Sequence, residues 1–210
     1  MIPALKTHIL SLLIITSFYG YTLTAQHSSQ SQVYFKIEGK VLDMYGNPME
    51  GVDIYIDNPF LLEFPRQYTT DENGNYRIKN LPLGHEFTVF ARKRENRTKE
   101  ISTLDYVLII RHMLGLQNHL HNPYRIIAAD TNTDNKLTHL DLVDFKNVIL
   151  GVYPKFPGVE TIRFVNEAYV FPDPKNPWQE EDGQPYRTKL KPQGDIEFNL
   201  IGIRLGKITK

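Results

Sequence analysis

The chain has 210 residues, with 24 basic and 24 acidic side chains and a formal net charge of zero. A balanced charge creates no bulk field toward nucleic acid or an acidic membrane. Cysteine is absent, which excludes disulfide staples and thiolate chemistry. Stability has to come from burial, with a metal as a further source that the composition leaves open.

MIPALKTH, ILSLLII and TSFYGYTLTAQ follow one another at the N-terminus. A lone Lys, a short apolar core and a small-and-polar end read as a secretory signal peptide over 1–25. The apolar run is too short to span a bilayer, so no membrane span is expected in the mature chain. HSSQSQ and the residue before it, 26–32, read as a flexible leader. A secreted or cell-surface location follows.

From 33 to 93 the pattern is alternation and turns. YFKIEGKVLD alternates, YGNP turns, and GVDIYID alternates again. Glu72-Asn73-Gly74-Asn75 gives the strongest turn signal, with Gly74 supplying positive φ. LPLGHEFTVFARK is a further alternating strand. Short strands at this spacing predict a small β-sandwich. Asp71 and Glu72 could be read as a catalytic pair, but acids in a turn are the simpler reading.

The run GKVLDMYGNPMEGVDI, followed by TTDENGNYRIKNLPLG, resembles the carboxypeptidase regulatory-like domain, a transthyretin-like sandwich. The resemblance implies a non-catalytic spacer or binding module.

An internal repeat comes next. ISTLDYVLIIRHMLGL and LTHLDLVDFKNVILGV align at one offset of 36 residues, Asp105 with Asp141 and Gly115 with Gly151. Each unit has a hydroxyl residue, an acid, apolar residues at helical spacing and a closing Gly. Leu142, Phe145, Ile149 and Leu150 fall on one face of the second helix, and both glycines suit helix C-termini. Two short amphipathic helices are predicted, packed on each other about an approximate two-fold.

The stretch DTNTDNKLTHLD, 130–141, fits the spacing of an EF-hand-type loop, which supplies oxygens from positions 1, 3, 5, 7, 9 and 12. These are Asp130, Asn132, Asp134, Lys136, Thr138 and Asp141. Lys136 would contribute its backbone carbonyl and Thr138 a bridging water. Asn135 stands where a sharp turn needs Gly, and Asn is well suited to left-handed backbone. Converging carboxylates repel, hard oxygen donors favour Ca²⁺, and calcium is the expected ion. The simpler alternative is a polar surface loop. The first unit's loop, RENRTKEISTLD, has Arg94, Asn96 and Thr98 at positions 1, 3 and 5. An Arg cannot be a ligand, so this loop is read as degenerate, with Asp105 capping its helix.

A repeated loop-helix unit over 94–157 resembles the dockerin family. The resemblance implies a Ca²⁺-dependent module and a cohesin-like partner domain. Hydroxyl residues are common at loop positions 10 and 11 in that family; here those positions hold Thr103 and Leu104, then His139 and Leu140. Any docking face is therefore more apolar than usual.

His112, His119 and His121 match no zinc spacing. No G-x-S-x-G, H-E-x-x-H, P-loop or dinucleotide fingerprint occurs. Glu180, Glu181 and Asp182 lie in a Pro-rich loop and read as a solvated turn rather than a glycosidase pair. The tail, 158–210, holds two strand patterns, TIRFVNEAYVF and DIEFNLIGIRLGKI. They must pack on the helices or the sandwich. Trp178 reads as a packing anchor. The expected fold is therefore multidomain β + α: a small β-sandwich, a dockerin-like pair of loop-helix repeats and a β tail. The expected function is non-catalytic, calcium-dependent protein docking or cell-surface assembly. The alternative is a carbohydrate-binding accessory protein that contacts a polysaccharide through the sandwich and Trp178.

Overall fold

The computed structural model describes residues 32–95, 98, 100–116, 119–178 and 186–210. The expected signal peptide, nearly all of the leader, Asn96 and the acidic run at 180–182 lie outside the described residues.

The described elements run β1 (Tyr34–Asp43), β2 (Asp53–Asp57), β3 (Arg66–Thr69), β4 (Asn75–Pro82), β5 (Phe87–Arg92), α1 (Thr103–Met113), α2 (Pro123–Ala129), α3 (His139–Ile149), β6 (Ile162–Asn166), β7 (Thr188–Leu190), β8 (Ile196–Glu197) and β9 (Leu200–Arg204). One sheet has the order β4-β1-β9-β6, with β8 also paired to β1; the other has the order β3-β2-β5-β7. The alternation of β1 puts Phe35, Ile37 and Val41 inside. They meet Ile54 and Ile56 of β2, Ile78 of β4, Phe87 and Val89 of β5 and Phe164 of β6 in one buried cluster. Gly74 has φ 75, as its turn requires, and a Cβ there would stand 2.4 Å from the Val41 carbonyl oxygen.

The expectation of three successive modules is corrected by this topology. The described chain is mostly β-sheet with three short helices, and residues 32–210 cluster as one compact unit. The tail is not a separate layer. β7 extends the second sheet by pairing with β5, while β8 and β9 pair in parallel with β1 and β6 pairs antiparallel with β9. Nor do the helices form a dockerin-like module of their own. Ile109, Ile127, Phe145 and Phe156 share their buried cluster with Val165 of β6 and with Ile201 and Ile203 of β9.

The physical reason lies in β6 and β9. Both carry buried apolar side chains on both faces, so they need cover on both faces. Ile162, Phe164 and Leu200 face the sandwich core, and Val165, Ile201 and Ile203 face the helices. Gly202 lets this wall close up, since a Cβ there would meet the Met49 sulfur at 2.3 Å. A two-strand tail and a two-helix pair would each leave apolar area in water; stacked, they bury it together.

Each of the longer helices is bounded as its sequence requires. Ser102 and Thr138 begin α1 and α3 with capping boxes closed by Asp105 and Asp141. Gly115 and Gly151 follow at φ 68 and 72. In both, paired backbone bonds close the last turn: Gly115 N–H to His112 and Leu116 N–H to Arg111, then Gly151 N–H to Val148 and Val152 N–H to Asn147. The predicted single apolar face of α3 holds for Phe145, Leu142 and Ile149, but Leu150 lies outside the core and is exposed.

Phe145 is the centre of this second cluster, fully buried and in ring contact with Tyr106 and Phe156. Phe145→Ala is expected to destabilise the protein by about 3–5 kcal/mol, measured as a shift of the urea midpoint at unchanged slope.

Candidate functional site

The loop 130–141 joins two helices that fix its ends. α2 is PYRIIAA, with Pro123 at its start, Asn122 as N-cap and Asp130 as C-cap. Its last four residues, Ile126 to Ala129, are all buried. The helix therefore delivers Asp130 to a wholly buried position, and Asp141 arrives, equally buried, from the first turn of α3.

Between these ends the side-chain oxygens are aimed by backbone N–H groups. Asp130 accepts from Asp134 N and Asn135 N, each at 3.1 Å. Asn132 Oδ1 accepts from Asp134 N at 3.0 Å, and Asp134 Oδ1 accepts from Lys136 N at 3.0 Å. Thr133 and Asn135 take left-handed backbone, φ 57 and 64. Asn tolerates this conformation better than most residues. Asp141 Oδ1 accepts from Thr131 N at 2.8 Å and Asn132 N at 3.3 Å, and its Oδ2 accepts from Thr138 N at 2.8 Å. The loop is thus closed end to end through Asp141.

Two buried acids in one small loop are costly. Burial first, then the Asp141 charge, push the Asp130 carboxyl up to about 6, against the pull of Arg163. Burial also pushes Asp141 up, although three backbone N–H groups oppose it. Arg163 of β6 stands close by, with Nη1 at 3.7 Å from Asp130 Oδ2. A divalent cation would relieve the cost that remains, so the donor set fits hard-ion binding in its charge. Asp130, Asn132 and Asp134 keep lone pairs to offer, whereas Asp141 already serves several donors. Among the described residues no three His, Asp or Glu side chains converge as a cluster of metal ligands. An EF-hand-type set draws on amide, carbonyl and water oxygens as well, so it does not require such a triad.

The first unit is built differently. Asp105 is as buried as Asp141 and closes the same kind of capping box. Its Oδ2 accepts from Ser102 N at 2.8 Å and Ser102 Oγ at 2.7 Å. Its Oδ1 accepts from Ile208 N at 2.9 Å, Thr209 N at 2.7 Å and Thr209 Oγ1 at 2.9 Å. Thr131 and Asn132 give their N–H groups to Asp141 Oδ1; residues more than a hundred positions away give theirs to Asp105. Burial alone would raise the Asp105 pKa, but the hydrogen bonds from Ser102, Thr209 and Ile208 outweigh it and hold the carboxyl below its usual range. Two consecutive N–H groups from Ile208 and Thr209 were not foreseeable, because nothing local in LGKITK marks them as partners of Asp105.

The remaining expected sites are placed simply. Asp71 accepts from Asn73 N at 2.9 Å and Asn75 N at 2.8 Å, as an acid in a turn does. His112 is held below its usual pKa by burial and by His119. Trp178 packs against the second cluster. No described helix is long and apolar enough to cross a membrane.

No protein-family model matches the chain, and no curated protein matches it. Among solved structures, the Bacillus anthracis TIE protein is 20% identical over 29% of this chain and 11% of its own, with a TM-score of 0.25. The major pilin subunit BcpA of Bacillus cereus is 24% identical over 32% of this chain and 21% of its own, at 0.27. Catechol 1,2-dioxygenase from Pseudomonas arvilla C-1 is 14% identical over 84% of this chain and 54% of its own, at 0.28. The chain spans little more than half of the last and far less of the others, and at these scores the likenesses carry no argument.

Two outcomes are expected. Because the folded state holds the Asp130 proton more tightly than the unfolded chain does, stability is fully present below the ordinary value, 3.8, and is lost as pH rises through about 6. In chelator the melting temperature should therefore fall between pH 4 and 6.5, and Asp130→Asn should flatten the fall. At Asp105, removing the carboxylate strands the buried Ile208 donor and the half-buried Thr209 donors. Asp105→Ala should cost roughly 2–4 kcal/mol, in calcium and chelator alike, by thermal unfolding.

Proposed function

We propose that the protein is a secreted, non-catalytic docking protein that presents a paired apolar face from α1 and α3 to a protein partner, with calcium in the 130–141 loop. One observation carries this reading. Eight exposed large apolar side chains of the helical region recur in pairs at the repeat offset: Leu104 with Leu140, Val107 with Val143, Leu114 with Leu150, and Leu116 with Val152. All eight are 43–66% exposed. Apolar residues scattered singly need no explanation, but a set duplicated at equivalent positions is a candidate interface.

The loop supports the same reading. Asp130, Asn132 and Asp134 would hold a hard cation with their free lone pairs, Lys136 would add its carbonyl, Thr138 a water, and Asp141 the closing acid. Bound calcium neutralises the buried acids and so fixes the start of α3, where Leu140 and Val143 project. An ion at a hundred times its dissociation constant adds about 2.7 kcal/mol to the folded state. On α1 the same anchoring is done without metal, through Asp105 with Ile208 and Thr209. The dockerin resemblance points to a cohesin-like domain as the partner. It is then a resemblance of loop and helix sequence, carried on a β-rich body.

Calorimetry should give one calcium per chain, abolished by Asp130→Ala and kept by Asp105→Ala. Surface plasmon resonance against a panel of cohesin domains, in calcium and in chelator, tests the docking. Binding is expected in calcium, with loss in Leu104→Asp and Leu140→Asp at unchanged melting temperature. Two calcium ions, or capture indifferent to both substitutions, would overturn the proposal.

A further inference from the structure

The loop 130–141 has a charged neighbour that its own sequence does not contain. Strand β6 alternates, so Arg163 shares the helix-facing side with Val165, while Ile162 and Phe164 face the sandwich. In the ladder it stands opposite Ile203 of β9. A cation is thereby set into the shared wall, its side chain 17% exposed, against the wholly buried Asp130. Its Nη1 lies 3.7 Å from Asp130 Oδ2, and that nitrogen is buried without a hydrogen-bond acceptor. The guanidinium lies 3.8 Å over the Tyr186 ring. A stacked guanidinium is held by the ring face rather than by a directional bond. Arg163 is therefore near enough to act on Asp130 by charge, yet no hydrogen bond from Nη1 locks it there.

Among the described residues, the ion pair of Asp130 is with Arg163. The backbone N–H groups of Asp134 and Asn135 also reach Asp130, but they bring no net charge. Lys136 and His139 belong to the loop and its helix start, and both are exposed, so water screens them. Glu160, also exposed, lines the hollow of about 330 Å³ beside Arg163 and Tyr186. The affinity of an EF-hand-type loop is tuned by the number of its charged ligands. Asp130, Asp134 and Asp141 bring three negative charges, and Arg163 offsets one of them. A cation bound to Asp130 would share that carboxylate with the guanidinium, and like charges at short range in a buried place repel strongly. Building on the calcium reading, we propose that Arg163 is the resident counter-cation of this loop. It stabilises Asp130 while no ion is bound and weakens calcium binding, so that the loop fills only at the high calcium levels found outside a cell. Such modules bind at about 10⁻⁴–10⁻³ M, far more weakly than intracellular buffers. The hollow beyond Tyr186 leaves the guanidinium room to withdraw when the ion arrives.

Calcium is titrated by calorimetry into the full chain and three variants at neutral pH, and each melting temperature is recorded in chelator. Arg163→Gln and Arg163→Met remove the charge; the second keeps an apolar stem against Tyr186 should the first fail to fold. Both are expected to bind calcium roughly tenfold more tightly than the parent chain, and to melt lower in chelator. Arg163→Lys keeps the charge and should bind like the parent chain. The opposite signs separate this role from packing, because a side chain that only packs the loop would lower both affinity and melting temperature when lost. Calcium bound by the parent chain, but no more tightly by Arg163→Gln and Arg163→Met, would overturn this inference and leave the calcium reading standing. Equal tightening in Arg163→Lys would also overturn it. Calcium bound by none of the four chains would overturn both.

Discussion

Every other feature of the molecule depends on one strand that has no exposed face. β9, LIGIR, is buried along four of its five residues. It pairs in parallel with β1 through Val41, Leu42 and Asp43, and antiparallel with β6 through its whole length. Leu200 serves the sandwich core and Ile201 and Ile203 serve the helical cluster. The wall of β6 and β9 is shared between two cores, so neither core can be completed without the other. That constraint explains why the chain does not divide into a sandwich, a helical pair and a tail.

The same wall places the loop chemistry. Arg163, which faces Asp130, comes from β6, and the segment just beyond β9 carries Ile208 and Thr209 to Asp105. The two repeats therefore solve one electrostatic problem in two ways. Each has a buried aspartate at the third position of a capped helix. At α1 the carboxylate is satisfied by N–H and O–H donors from a distant segment. At α3 it is satisfied by its own loop, and Asp130 is left as a second buried acid whose charge a cation would neutralise. A buried carboxylate needs compensation of one kind or the other.

Much of the local structure was legible. β1 spans the same ten residues as its alternating pattern, Tyr34 to Asp43, and Gly74, Gly115 and Gly151 stand at positive φ where turn and cap were expected. Left-handed Asn135 follows from its place in the loop. Other elements carried too little signal. β3 has four residues and β7 three, α2 is a seven-residue helix buried along most of its length, and none is long enough to show a period. Partnership was the larger gap. Alternation shows that a strand has an inside, but not which sheet it joins, and the pairing of β1 with β9 spans about 160 positions. Periodicity marked most of the buried side of α3, Leu142, Phe145 and Ile149, but not the apolar residues that stay outside; the exposure of Leu104, Val107, Leu140 and Val143 emerged only from the packing.

The shared wall is tested most directly by hydrogen exchange on Ile203→Ala. Ile203 belongs to the helical cluster, so in a modular protein its loss would loosen only the helices. A single body joined through β9 predicts that α1 and α3 lose protection together with β1 and β6, in one cooperative transition. If the helices exchanged faster while β1 kept its full protection, the two cores would be independent, and a shared wall would be contradicted.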